Sequence, residues 1–141
     1  MRTTLLLLML ALPLKQLQVT SAFGNRVHPI TGNYHFHAGV DLRANYDTVY
    51  SIFNSRVVAT GYDNGLGIFI KIANGPFLIT YGHLSQCFVN RGDSVNVTGS
   101  LGISGETGSV TGPHLHFAVQ FNRRYIDPLA FLSAAYQKLN Q

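Results

Sequence analysis

The 141-residue sequence has no tryptophan, a single cysteine and only 11% charged side chains. With Cys87 alone, an intrachain disulfide and a cysteine-rich zinc site are both excluded. The residue reads as a small buried apolar group rather than a reactive thiol. The net charge of +4 comes from ten scattered basic side chains, adjacent only at Arg123-Arg124. Tracking phosphates needs clustered Lys and Arg, so no nucleic-acid partner is expected. Internal repeats, low-complexity stretches and linkers are absent between Gln18 and Gln141, and so is long helical periodicity until the tail.

The N-terminus has a hydrophobic run, but a short one. Arg2 precedes TLLLLMLALPL at residues 4–14. A bilayer span needs about twenty apolar residues, so no stable membrane insertion is expected. A positive start followed by a short apolar segment reads as a signal-peptide-like leader over residues 1–17. No clean small-x-small cleavage site follows it, and no cysteine stands after the run to carry a lipid. Residues 18–141 then read as one domain.

What the chain does have is glycine, with 14 residues, and 11% aromatics carried by Tyr and Phe. Its β-branched runs are short: VYSIF (49–53), RVVATGY (56–62), GIFIKIA (67–73), FLITYGH (77–83) and HLHFAVQF (114–121). DNG at 63–65 and ANG at 73–75 separate three of them, and Asn-Gly supplies the positive φ that tight hairpins need. The pattern predicts an all-β fold: a small antiparallel β-sandwich or open barrel with a groove. One short C-terminal helix is expected, with Asp127 as cap, Pro128 in the first turn and apolar spacing through LAFLSAAYQKL.

Two of the six histidines lie one residue apart, in TGPHLHFAV (111–119). On a strand, His114 and His116 share a face about 7 Å apart along the backbone, while Leu115, Phe117 and Val119 fill the other. One imidazole can bind a metal while the other reaches a water bound to it. HAGVD (37–41) offers His37 and Asp41. On a regular strand these would lie about 13 Å apart, so sharing an ion requires a bend at Gly39, with His37 on a loop and Asp41 entering a strand. Two His and one Asp, with a fourth position open for water, form a catalytic rather than a structural zinc pattern. His83, in YGHLS at the end of an expected strand, is available to act with His114 on the attacking water or the oxyanion.

Taken in order, SAFGNRVHPITGNYHFHAGVDLRA, YGHLS and GETGSVTGPHLHF closely resemble the lysostaphin-type (LytM-like) zinc metalloendopeptidases, from about Val19 to Pro128. That resemblance implies a small antiparallel β domain with an open groove, which agrees with the reading from the residues. It implies one Zn2+ ion held by His37, Asp41 and His116. His83 and His114 are implied as the pair that orients or deprotonates the water and stabilises the oxyanion, either being the base. The implied activity is hydrolysis of peptide cross-links or bridges of bacterial peptidoglycan. The implied partner is the peptidoglycan peptide, with a monomer expected, exported to the periplasm or beyond the cell; a mildly cationic surface suits that polyanionic envelope. The alternative is a non-catalytic module that binds the wall or activates other wall hydrolases; such modules usually lack members of the metal set, whereas this chain retains all five residues. It departs from the family pattern at Asp47-Thr48-Val49, at Ala118 and in a shortened TGSLGISGETG, which touch scaffold and groove rather than these five.

Other residues read more plainly. His28 fixes the turn at Pro29 or lines the groove, and His35 is exposed; neither is expected to bind metal. Tyr34, Tyr62 and Tyr81 are groove candidates, with burial in a strand the commoner outcome. RGD at 91–93 reads as a turn before the next strand. Asn96 in NVT is a formal glycosylation triplet, without consequence in a bacterial protein.

Overall fold

A computed structural model describes residues 10–27 and 31–139. The chain is all-β with one C-terminal helix, and all its recorded strand pairings are antiparallel. The long strands are the β-branched runs read from the sequence: β6 (Ser55–Asp63), β7 (Gly67–Asn74), β8 (Phe77–Cys87) and β11 (Leu115–Phe121). Shorter strands complete the main sheet: β1 (Val19–Ser21), β4 (Val40–Leu42), β5 (Thr48–Tyr50), β9 (Ser94–Val95), β10 (Ser100–Ser104) and β12 (Arg124–Ile126). Its order is β1-β4-β11-β8-β7-β6-β9, with β10 bridging β5 and β8 and β12 beside β11. A separate hairpin pairs β2 (Gly24–Val27) with β3 (Tyr34–His37). The helix, α1, runs over Pro128–Leu139 and is capped as expected: the Leu129 amide donates to Asp127 Oδ1 at 3.0 Å.

Strand alternation builds the core. Ile70, Ile72, Ile79, Tyr81, Leu115, Phe117 and Val119 are fully buried, and Tyr81 meets Phe117 edge-on at 5.4 Å between ring centroids. The Tyr81 hydroxyl donates to the Tyr50 carbonyl at 2.7 Å, so its burial leaves no polar atom unpaired. Tyr81 is therefore a core residue, whereas Tyr34 and Tyr62 are exposed.

Several local expectations differ in detail. In DNG, the Asp63 carboxylate accepts the amides of Gly65 and Leu66, and the positive φ falls on Gly67 at 66° rather than on the Asn-Gly pair. The run 49–53 pairs as a strand only to Tyr50; Ser51–Phe53 is buried but irregular, the Ser51 amide donating to the Gly99 carbonyl. Cys87 is exposed, not buried. It lies where β8 has run past the last residue paired with β7, so only β10 flanks it. RGD is a turn, with Gly92 at φ 97° and the Asn90 amide donating to Asp93 Oδ2. His35 is exposed; the expected role of His28 at Pro29 lies outside the described residues.

The stretch 10–17 lies against the body of the fold. Leu14 is 4% exposed within the core cluster, and Leu10 and Leu17 pack against it. The Ala11 amide donates to the Ile52 carbonyl at 2.7 Å, and the Tyr50 amide to the Pro13 carbonyl at 2.9 Å. Among the described residues no helix is long and apolar enough to cross a membrane. Removing these contacts has a measurable cost: Leu14→Ala is expected to lower the unfolding free energy by about 2–4 kcal/mol. Leu12→Ala, at a side chain 43% exposed, should change it by under about 0.5 kcal/mol in the same denaturant titration.

Candidate metal centre

The site grows out of one strand pairing. In the β4–β11 ladder His116 stands opposite Asp41, flanked by the pairs Leu115↔Leu42 and Phe117↔Val40. All four flanking side chains are fully buried, so alternation turns His116 and Asp41 to the opposite face. His37 arrives from the end of β3, on a strand rather than the expected loop, and the chain bends through Ala38-Gly39 into β4. Gly39 is required there: a Cβ would stand 2.6 Å from the Phe117 carbonyl oxygen and 3.0 Å from His116 Cε1.

His83 reaches the same face by a different device. Ile70 pairs with Tyr81, but Ile68 pairs with Leu84, so β8 carries one residue more than β7 between those pairs. Unbroken alternation would bury residues 81 and 83; the bulge instead buries Tyr81 and Leu84 at 0% exposure and frees Gly82 and His83 to face the site. His83 is accordingly at φ 62°, a left-handed conformation uncommon for a side chain of its size. Its amide donates to the Leu66 carbonyl at 2.6 Å. So it sits inside β8 at a bulge, not at a strand end. Gly82, opposite His116 in the β8–β11 ladder, leaves room for that histidine, since a Cβ there would stand 3.3 Å from His116 Cβ. His114 lies just before β11 and bridges to Gly105.

Three imidazole nitrogens converge on one oxygen. Asp41 Oδ1 lies 3.2 Å from His116 Nδ1, 3.3 Å from His37 Nε2 and 3.6 Å from His114 Nε2. The ligand atoms of His37, Asp41 and His116 all lie within 4.8 Å of one another and could hold a metal ion. His83 closes the group, its ring centroid 4.7 Å from that of His114 and 5.9 Å from that of His116. The structure thus brings together all five residues singled out from the sequence.

Main-chain carbonyls fix the ring tautomers. A carbonyl only accepts, so Nδ1–H donates from His37 to Ala22 (2.9 Å), from His83 to Thr107 (2.8 Å) and from His114 to Gly112 (3.2 Å). Each neutral ring then has its lone pair on Nε2. For His37 that lone pair faces a carboxylate oxygen at 3.3 Å, two acceptors with nothing between them. Only a second proton on the ring or a cation satisfies the pair, and a nitrogen–oxygen donor set of this kind suits zinc. The titration behaviour has the same cause. Hydrogen bonding to Asp41 raises His37 despite its burial. Burial works against the charge on Asp41, but the bonds from His116 and His37 outweigh it and hold the carboxyl well below its usual range. Burial lowers His83, against the bond to Thr107, so that imidazole is uncharged at neutral pH.

A cavity of about 630 Å³ is lined by Leu14, Lys15, Arg43, Asp47 and Tyr50 among others and by none of these five residues. His37 and His83 are buried, and Asp41, His114 and His116 are half-buried.

A family model described as Peptidase family M23 matches residues 35–128. The chain belongs to Peptidase family M23. It is similar to the peptidoglycan DD-endopeptidase ShyB of Vibrio cholerae, 33% identical over 115 residues, covering 79% of this chain and 27% of that one. In structure it is similar to a zinc containing peptidase from Vibrio cholerae, with a TM-score of 0.77 and 33% identity over 82% of this chain and 37% of that chain. The catalytic domain of the antimicrobial peptidase lysostaphin from Staphylococcus simulans gives a TM-score of 0.74 and 33% identity, covering 83% of this chain and 92% of that chain. Against the first two curated relatives it matches, the chain spans 25% and 31% of their length.

Sequence reasoning missed the supports of this M23 site: the Ala22, Thr107 and Gly112 carbonyls and the bulge at Gly82-His83. A carbonyl has no side-chain signature. The bulge has a faint one, a glycine preceding a histidine in an otherwise alternating strand. Gly39→Ala tests the support of the metal set itself. It is expected to weaken zinc binding by about tenfold or more in a competition titration with a chromogenic chelator.

Proposed function

We propose that this chain is a zinc-dependent endopeptidase domain that hydrolyses peptide cross-links or bridges of bacterial peptidoglycan. The observation that carries the reading is the pairing of a three-residue metal set with two further histidines whose Nδ1 atoms are both held by main-chain carbonyls. His37, Asp41 and His116 would hold the ion. Zinc, when bound, supplies Lewis-acid chemistry that acidifies water and polarises a scissile carbonyl.

The remaining work falls to this chain's own side chains. His83, uncharged at neutral pH, has Nδ1–H committed to Thr107 and so offers Nε2 as a proton acceptor. His114 is held the same way by Gly112, with Nε2 3.6 Å from Asp41 Oδ1. One of these nitrogens takes a proton from the attacking water, and the other, carrying on Nε2 a proton taken up from solvent, donates a hydrogen bond to the developing oxyanion. Peptidoglycan lies outside the cytoplasm, and the M23 relatives whose names include it favour a place in the cell envelope, reached by export. The intact ligand set weighs against a module that only binds the wall.

Digestion of two chemically distinct peptidoglycans, one with direct cross-links and one with glycine bridges, tests the reading by mass analysis of the products. Cleavage of a peptide bond in at least one, abolished by a chelator, restored by zinc and absent in His116→Ala, is expected; intact muropeptides with zinc-loaded protein would overturn it. The pH dependence has a definite sign. With His83 as the base, burial keeps it unprotonated through neutrality, so the acid-side fall of kcat/KM should lie below the ordinary histidine value of about 6.5.

A further inference from the structure

The segment that aims both proton-handling histidines is fastened from outside the site by a residue no catalytic role claims. Tyr46 has φ 57°, a left-handed conformation that is a genuine outlier for a bulky side chain. Its ring is not buried, being 49% exposed, so packing does not account for that strain. Its hydroxyl donates to Glu106 Oε2 at 2.7 Å across 60 residues of sequence. The next residue continues the same seam: the Asp47 amide donates to Ser104 Oγ, and the Ser104 amide to the Asp47 carbonyl, each at 2.8 Å.

Residues 104–107 are thus laced to 46–47, and they are the residues that face the histidines. Gly105 bridges His114, and the Thr107 carbonyl takes the Nδ1–H of His83. Gly105 itself lies against β8, where a Cβ would stand 2.8 Å from the Ser85 amide nitrogen. The segment is therefore pressed onto β8 at Gly105 and tied down at Thr107, whose Oγ1 donates to the Leu84 carbonyl at 2.6 Å and accepts the Ile68 amide at 3.0 Å, while Tyr46 grips Glu106 between them from the outer side. Glu106 thus joins the residue that bridges His114 to the residue whose carbonyl takes the His83 Nδ1–H.

We propose that Tyr46 is a positioning residue: by holding Glu106 it fixes residues 105–107 and so the aim of His83 and His114. The proposal rests on the peptidase reading above for its kinetic consequence, but not for its structural one.

The test compares wild type with Tyr46→Phe, Glu106→Ala, Glu106→Gln and the double variant Tyr46→Phe/Glu106→Ala, all zinc-loaded. Tyr46→Phe and Glu106→Ala should each lower kcat about fivefold, the loss expected for one charge-assisted hydrogen bond near the surface. KM and zinc content should not change, and Tm should fall by no more than about 4 °C. Glu106→Gln keeps an acceptor oxygen and should retain most of the activity. The double variant should be no worse than either single one, because both remove the same bond. The Nδ1–H proton resonance of His83, followed without substrate, should exchange faster with solvent in Tyr46→Phe. Wild-type kcat in Tyr46→Phe, an unchanged His83 resonance, or a loss confined to KM would each overturn the proposal, the last by assigning Tyr46 to substrate contact. If wild type cleaves no muropeptide, the peptidase reading fails by itself, and the His83 resonance still decides whether the clamp acts.

Discussion

The site depends on the register between β4 and β11. Opposed residues of an antiparallel pair bring their side chains within about 5 Å, and this pairing alone places a carboxylate beside an imidazole. A slip by one residue would turn Asp41 into the core and send Val40 or Leu42 to the surface. Val40, Leu42, Leu115 and Phe117, all fully buried, therefore hold the metal set in place without touching it. The apolar pattern and the donor set are one constraint seen from two faces of the sheet. Gly39 completes it, because only a residue without a side chain lets the turn from β3 pass over the Phe117 carbonyl.

Around that pair, the other imidazoles are arranged by the main chain. Three of the four rings have Nδ1 tied to a carbonyl, which leaves Nε2 as the reactive nitrogen and orients the ring without any further charged group. The consequence is electrostatic. A carboxylate ringed by nitrogens that cannot all donate to it is an incomplete arrangement, and a cation is what completes it. The same geometry sets the rings apart. His37 and His116 lie nearest the carboxylate, while His83, brought in by a bulge, lies against the rings of His114 and His116.

Much of this was legible in the sequence, for physical reasons that can be named. Strand alternation predicts that His114 and His116 share a face, and the spacing of HAGVD requires a bend at Gly39 for His37 and Asp41 to share an ion. The strands β6, β7, β8 and β11 and the cap at Asp127 follow from β-branched runs and local capping chemistry. Less legible was anything carried by the backbone. The bulge moved His83 from an expected strand end to the interior of β8, because an unpaired extra residue leaves little trace in hydrophobic period. His37 proved to end a strand, since β2, its partner, is a largely polar segment with little strand signal. Cys87 was placed by where a neighbouring strand stops, which is a property of pairing and not of the cysteine.

The apolar N-terminal run shows most clearly where residue chemistry stops discriminating. A leader for export and a segment packed on a β core make the same demand, a short uninterrupted series of side chains that prefer not to be in water. Leu10, Leu14 and Leu17 satisfy both equally well. What distinguishes the packed state is the main chain: the Ala11 amide on Ile52 and the Pro13 carbonyl on Tyr50 tie residues 11–13 to the chain around β5. The tie bears on the site as well, because the Gln18 carbonyl accepts the Arg43 amide two residues beyond Asp41. Losing residues 10–17 would take Leu14 out of the core cluster and remove the two bonds that hold the chain on that side of β5. The core that sets the β4–β11 register, and through it the spacing of the metal set, would then be less well packed.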